Sequence, residues 1–169
     1  MKKLLPYLTL ITVSCSNSKG TPAGQNNERY LQEDLPFIQK ADSICRILDA
    51  EDVYEHRKDS SVIDTDGKEY PSQYKGYAKN SADSVSKFVI TVFFGGKNSA
   101  KSTFYYHAGG VLKGLQEIFA DDTVKTAFYY DGDRMIYPHE EGKDDEWQRL
   151  AEKINRQSVV WKSFFLPRN

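Results

Sequence analysis

The sequence predicts an α+β domain: an antiparallel β-meander of about five to seven strands, preceded by one helix and followed by another. Three observations carry this. Apolar residues at helical spacing occur only near residues 34–52 and 144–154, at the two ends of the domain. Between them lie β-branched and aromatic runs separated by Gly- and Asp-containing turn signals about a dozen residues apart, the rhythm of adjacent antiparallel strands. Aromatic residues make up 13% of the chain, with 11 Tyr and 9 Phe, and that density favours strands and supplies much of a small core.

The first helix is expected to open near Asp34, with Pro36 tolerated in its first turn, and to end near Asp52. Phe37, Ala41, Ile44 and Leu48 form its apolar stripe, with Ile38 and Cys45 alongside. A weak hairpin follows from residues 61–63 through Asp64-Thr65-Asp66-Gly67 to residues 69–78, and Pro71 restricts it to an edge. Residues 85–94 are a strongly apolar strand closed by Gly95-Gly96-Lys97-Asn98. Residues 103–107, the Gly109-Gly110 turn and residues 111–119 come next. Asp121-Asp122 turns the chain into residues 124–130, and Asp131-Gly132 closes a hairpin with residues 134–137. Asp144, Asp145 and Glu146 suit a helix N-terminus, and Trp147, Leu150, Ala151 and Ile154 form one buried stripe behind them. Residues 158–166 (SVVWKSFFL) read as a last strand on their β-branched content, with an apolar tail docked on the sheet as the alternative. Both helices are expected on one face of the sheet. By analogy of layout alone, this is the plan of cystatin-like folds and of small envelope proteins that bind or inhibit others.

The first fifteen residues have a different character. Lys2 and Lys3 precede ten apolar positions, residues 4–13, too few for a membrane span of about 20 residues. Thr12-Val13-Ser14-Cys15 then resembles the lipobox of bacterial lipoproteins, with Thr12 standing where Leu is commonest. The resemblance implies diacylglycerol transfer to the Cys15 sulfur and cleavage before it, leaving residues 1–14 as a signal peptide. It further implies the outer membrane, because Ser16 follows Cys15 where the aspartate retention signal of the inner membrane would stand. Residues 15–29 read as the lipidated cysteine and a Ser-, Gly-, Asn- and Pro-rich tether, and residues 30–169 as a single domain. With Cys15 acylated, Cys45 has no disulfide partner and reads as a buried, inert thiol.

Composition excludes more than it selects. Loss of Lys2 and Lys3 takes the formal charge from -1 to -3, which leaves no basic footprint for nucleic acid. His56, His107 and His139 lack ligand spacing, and no Cys pair or H-E-x-x-H motif occurs, so neither a metal nor another cofactor is expected. Asp64-x-Asp66-Gly67 starts like a calcium loop but lacks the later ligands, and a hairpin turn explains it. No G-x-S-x-G elbow or phosphate loop is present, and the carboxylates fall in turns and first helical turns, so no enzyme is expected.

The tyrosines remain. Tyr70, Tyr74 and Tyr77 cluster, and the doublets Tyr105-Tyr106 and Tyr129-Tyr130 must each send one ring to either side of a strand. With helices on one face, Tyr106 and Tyr129 decorate the other, and together with Tyr74 and Tyr77 they are the candidate contact residues. The expected function is therefore a non-enzymatic, lipid-anchored cell-envelope protein that binds a partner protein or a glycan through an aromatic sheet face. The alternative is a small inhibitor or immunity-type protein that blocks an envelope hydrolase with loop 95–101 or 137–145.

Overall fold

A computed structural model describes residues 29–50, 54–63, 66–78, 85–96, 98–120 and 123–165. The signal peptide, the lipobox with Cys15 and most of the tether lie outside the described residues, as do Asp64, Thr65, Lys97, Asp121 and Asp122. A short 3-10 turn at Gln32–Asp34 leads into helix α1, Leu35–Ala50. Seven strands follow: β1 Tyr54–Ile63, β2 Glu69–Ala78, β3 Val85–Gly95, β4 Asn98–His107, β5 Gly110–Phe119, β6 Val124–Asp131 and β7 Arg134–Ile136. Helix α2, Asp144–Phe165, ends the fold. The sheet order is β1-β2-β3-β4-β5-β6-β7, with every neighbouring pair antiparallel. The α+β meander between two terminal helices is therefore present.

The helices do not share a face. Phe88, Phe104, Tyr106, Phe128 and Tyr130 pack with Ala151, Ile154 and Trp161 of α2. Tyr105, Leu112, Tyr129 and Ile136 pack with Ile38, Ala41 and Cys45 of α1. Neighbouring residues of one strand point to opposite sides, so the two clusters lie on opposite faces and the sheet is the middle of three layers. This corrects the expected one-face layout. Its physical reason is the near-continuous burial of β3 at Phe88, Val89 and Ile90, and of β4 at residues 103–106, the pattern of strands covered on both sides.

Two further expectations change. Residues 158–165 continue α2 and do not form a strand. Ala151, Ile154, Ser158 and Trp161 are all buried at helical spacing, and Trp161 stacks on Phe88 at 5.6 Å, while Val159 and Val160 face solvent. Burial of Ser158 and Trp161 outweighs the few tenths of a kcal/mol that each exposed valine sets against helix. Strand β1 begins at Tyr54, seven residues before the expected start; the added stretch gives no apolar alternation to read, since residues 55 and 57–60 are polar and exposed. The hairpin that contains Pro71 lies at an edge of the sheet, as expected. Pro71 pairs with Ser61 of β1, and pairing of β2 to β3 begins one residue later at Ser72.

Candidate functional site

The tyrosine doublets organise both helix interfaces. On the α1 face, one register row runs across the sheet as Glu55, Tyr77, Lys87, Tyr105, Lys113, Tyr129 and Ile136. Helix α1 lies along that row and supplies two carboxylates seven residues apart. Asp42 accepts hydrogen bonds from Tyr129 Oη (3.1 Å) and Lys113 Nζ (2.6 Å). Asp49 accepts from Tyr105 Oη (3.0 Å) and Lys87 Nζ (2.8 Å). Each aspartate thus caps one cross-strand Lys–Tyr pair. The spacings agree: seven helical residues rise about 10.5 Å, and two strand separations are about 9.6 Å. On the other face Tyr130 Oη donates to the Ala151 carbonyl (2.9 Å) and Tyr106 Oη to the Ser158 carbonyl (2.7 Å), again seven helical residues apart. Both helices therefore run across the strands, each sealed to β4 and β6 by two phenols.

That arrangement removes the expected contact surface. Tyr106, Tyr129 and Tyr74 are 6%, 4% and 4% exposed, so none of them decorates an open face. Tyr106 and Tyr74 belong to the α2 layer, where Tyr74 lies 5.2 Å from the Trp161 ring. Tyr129 and Tyr77 lie in the α1-side row. Tyr77 is half-buried, with Lys87 Nζ 4.3 Å from its ring centre. The four rings are not brought together. The physical reason is that each face carries a helix, so the ring that leaves one core enters the other.

The environment fixes the protonation of these groups. Burial pushes the phenols of Tyr30, Tyr105, Tyr106, Tyr129 and Tyr130 well above their ordinary value; Asp49 adds to the effect at Tyr105, and Asp42 at Tyr129. Cys45, between the two aspartates on α1, is pushed up to about 12 by burial. A thiol so raised is held in its protonated form at neutral pH and is not an activated nucleophile. Glu117 behaves oppositely. Burial works to raise its pKa, but hydrogen bonds from Lys125 and Lys101 outweigh burial and hold the carboxyl below its usual value.

An open cleft of about 700 Å³ lies at the end of the sheet where the β4–β5 and β6–β7 turns meet both helices. Phe37, Ala41 and Ile44 of α1 form one wall, and Asn155, Ser158 and Val159 of α2 the other. Its floor is Leu112 and Val111 with the edges of Tyr106 and Tyr130. The rim is polar and carries both signs of charge, Lys40 and Lys162 against Asp131 and Asp133, and includes the His107 imidazole. Lys162 Nζ donates to the Gly109 carbonyl (2.6 Å) and ties α2 to the β4–β5 turn. In that turn Ala108 has φ +49°, a left-handed conformation normally left to glycine. Among the described residues no three His, Cys, Asp or Glu side chains converge as metal ligands would.

Neither protein-family models, nor curated proteins, nor solved structures contain a match to this chain. The cleft must be read from its own chemistry. It offers an apolar floor, one accessible aromatic wall residue in Phe37, exposed backbone at three glycines (Gly109, Gly110 and Gly132), and a mixed-charge rim. Sequence reasoning took Gly109-Gly110 and Asp131-Gly132 only as turns. The signal that joins them is topological: in a meander, alternate turns lie at the same end of the sheet.

The loops weighed for an inhibitory role are both short. Gly95 pairs with Asn98 across a tight turn, and β4 takes up the residues that follow. The stretch between β7 and α2 is pinned. His139 N donates to the Arg29 carbonyl (2.6 Å), Arg29 pairs with Glu140 (3.1 Å), and Lys143 pairs with Glu140 (2.5 Å).

Proposed function

We propose that this chain is a non-enzymatic, lipid-anchored protein of the bacterial cell envelope that holds a partner protein in the cleft at the end of its sheet. The anchor rests on the Lys2-Lys3 leader and Thr12-Val13-Ser14-Cys15, with an outer-membrane address from Ser16. The single observation that carries the binding function is the cleft itself: an apolar floor under a rim of Lys40, His107, Lys162, Asp131 and Asp133. Such a surface suits a polypeptide, which brings apolar side chains and both charge signs together. A glycan is served less well, since sugar rings stack on flat aromatic surfaces and the rings of Tyr106 and Tyr130 are buried with their hydroxyls committed to α2. No catalytic role is assigned, because the strongly shifted groups are phenols and a thiol packed under the helices.

Two measurements test this reading. Cys15→Ala in the full chain should abolish incorporation of labelled fatty acid and release the protein from the membrane fraction; unchanged labelling ends the anchor assignment. Val159→Asp and Asp131→Lys alter exposed cleft positions, so both should fold like wild type and lose the partner captured from envelope extract. Capture that survives both changes ends the cleft assignment.

A second reading, an inhibitor or immunity-type protein acting on an envelope hydrolase, draws on the pinned stretch at residues 137–143. A preorganised loop loses little freedom on insertion into an active site. Weakening it through Glu140→Ala would then reduce inhibition of that hydrolase, whereas the cleft variants would not.

A further inference from the structure

The two edges of the sheet are finished differently. β7 is three residues long, and its Arg134 pairs with the buried Asp34 at the start of α1. β1 is ten residues long, contains no proline, and pairs with β2 residue for residue without a bulge. Among the described residues no strand lies beyond it. One row of its backbone N–H and C=O groups is therefore left without a strand partner there, the usual template for strand addition. Glu55, Arg57, Lys58, Asp59 and Ser60 are exposed, so neither helix layer covers this margin.

We propose that β1 is a homotypic interface, on which the β1 strand of a second copy pairs antiparallel about a two-fold axis at Lys58. Charge selects the occupant. The α1-side row of β1 alternates in sign as Glu55, Arg57 and Asp59. Antiparallel self-pairing centred on Lys58 sets Tyr54 opposite Val62 of the second copy, and so uses nearly the whole strand. The same register places Arg57 opposite Asp59 of the second copy, twice by symmetry. Shifting the centre by one residue to Arg57 sets Arg57 against Arg57 and Glu55 against Asp59, like charges that directly oppose pairing. Arg57 and Asp59 already lie 3.5 Å apart within one strand, so their side chains need little movement to exchange partners. Lys58 meets its own copy at the axis, one like-charge contact set against two opposite-sign pairs.

The test uses the full chain with single cysteines introduced along β1. Only position 58 meets itself in this register, so K58C should give an intermolecular disulfide on mild oxidation. S60C faces position 56 of the second copy and should not. Cys45 is buried, and the parent chain run alongside reports any band from Cys15. Adding R57D to K58C turns two attractive pairs into repulsive ones and should lower the yield of linked dimer about tenfold. Adding D59R as well restores the opposite-sign pairs and should restore the yield. Linkage at 58 no stronger than at 60, or linkage unaffected by R57D, overturns the proposal.

Discussion

Asp42 and Asp49 hold equivalent places on α1, yet they are not equivalent in energy. The Asp42 and Lys113 side chains are 12% and 13% exposed, whereas that of Asp49 is 47% exposed. Removing Asp42 leaves the Lys113 ammonium buried without its counter-charge, a loss of about 3 kcal/mol. Lys87 is nearly as buried, at 15%, but water around the exposed Asp49 carboxylate already weakens that pair, so removing Asp49 costs less, about 1 kcal/mol. Urea unfolding of D42A and D49A should separate the two, and equal effects would mean that the Asp42 pair is as well hydrated as the other. Ala108 is the opposite case, a residue that works against its own conformation. At φ +49° its Cβ crowds the backbone, and A108G should raise stability by about 0.5 kcal/mol in thermal melts once the greater chain entropy of glycine is subtracted. Because Ala108 lies on the cleft wall, the same variant reports whether that turn's rigidity matters for binding.

At the scale of elements, α2 packs closely on β5 at Gly114. A Cβ built on Gly114 would stand 2.6 Å from Ile154 Cγ2, with Phe104 and Tyr130 on either side. G114A must push the helix outward and should cost about 1–3 kcal/mol; near-neutral stability in denaturant unfolding would show that Ile154 can turn aside. Across β4, β5 and β6, Lys101, Glu117 and Lys125 stand opposite one another. The folded-state pKa of Glu117 is depressed, so its contribution is full above the unfolded carboxylate range and is lost as pH falls through the folded value. Elements with a clean period are legible from sequence: α1 from Phe37, Ala41, Ile44 and Leu48, although its most buried line runs through the flanking Ile38 and Cys45 with Ala41, α2 from Ala151 and Ile154, and β3–β7 from their turns. The misread elements each have a local cause. β1 shows no alternation because both its sides meet water, and the end of α2 hides its helical period behind Val159 and Val160. The faces of Tyr106 and Tyr129 were misassigned because a doublet says only that two rings diverge. Which helix lies on which side depends on contacts far along the chain, Tyr106 with Ser158 52 residues away and Tyr129 with Asp42 87 residues away. The cleft was not legible at all, since it is made by two turns and two helices that share no local pattern.

For the molecule as a whole, five buried phenols tie stability to alkaline pH. Tyr30, Tyr105, Tyr106, Tyr129 and Tyr130 all hold their protons more tightly folded than unfolded, with burial as the leading cause. Their contribution is complete below the unfolded phenol value of about 10 and falls above it by about 1.4 kcal/mol per pH unit for each ring. Five rings together exhaust a typical domain's 5–15 kcal/mol within roughly two pH units. Phenolate absorbance should therefore rise together with the loss of far-ultraviolet circular dichroism above about pH 10. Phenolate appearing while the fold persists would place these hydroxyls in contact with water. The connectivity has a consequence for synthesis as well. Helix α1 is made first, but its partners are made late: Asp42 waits 71 residues for Lys113 and 87 for Tyr129, and Arg29 waits 111 for Glu140. A chain emerging N-terminus first therefore carries an amphipathic helix whose partner surface begins with Lys87 and Tyr105 and is completed only when β5, β6 and the turn after β7 have appeared. The last strands and α2 therefore act as the bolt that locks the earlier elements in place.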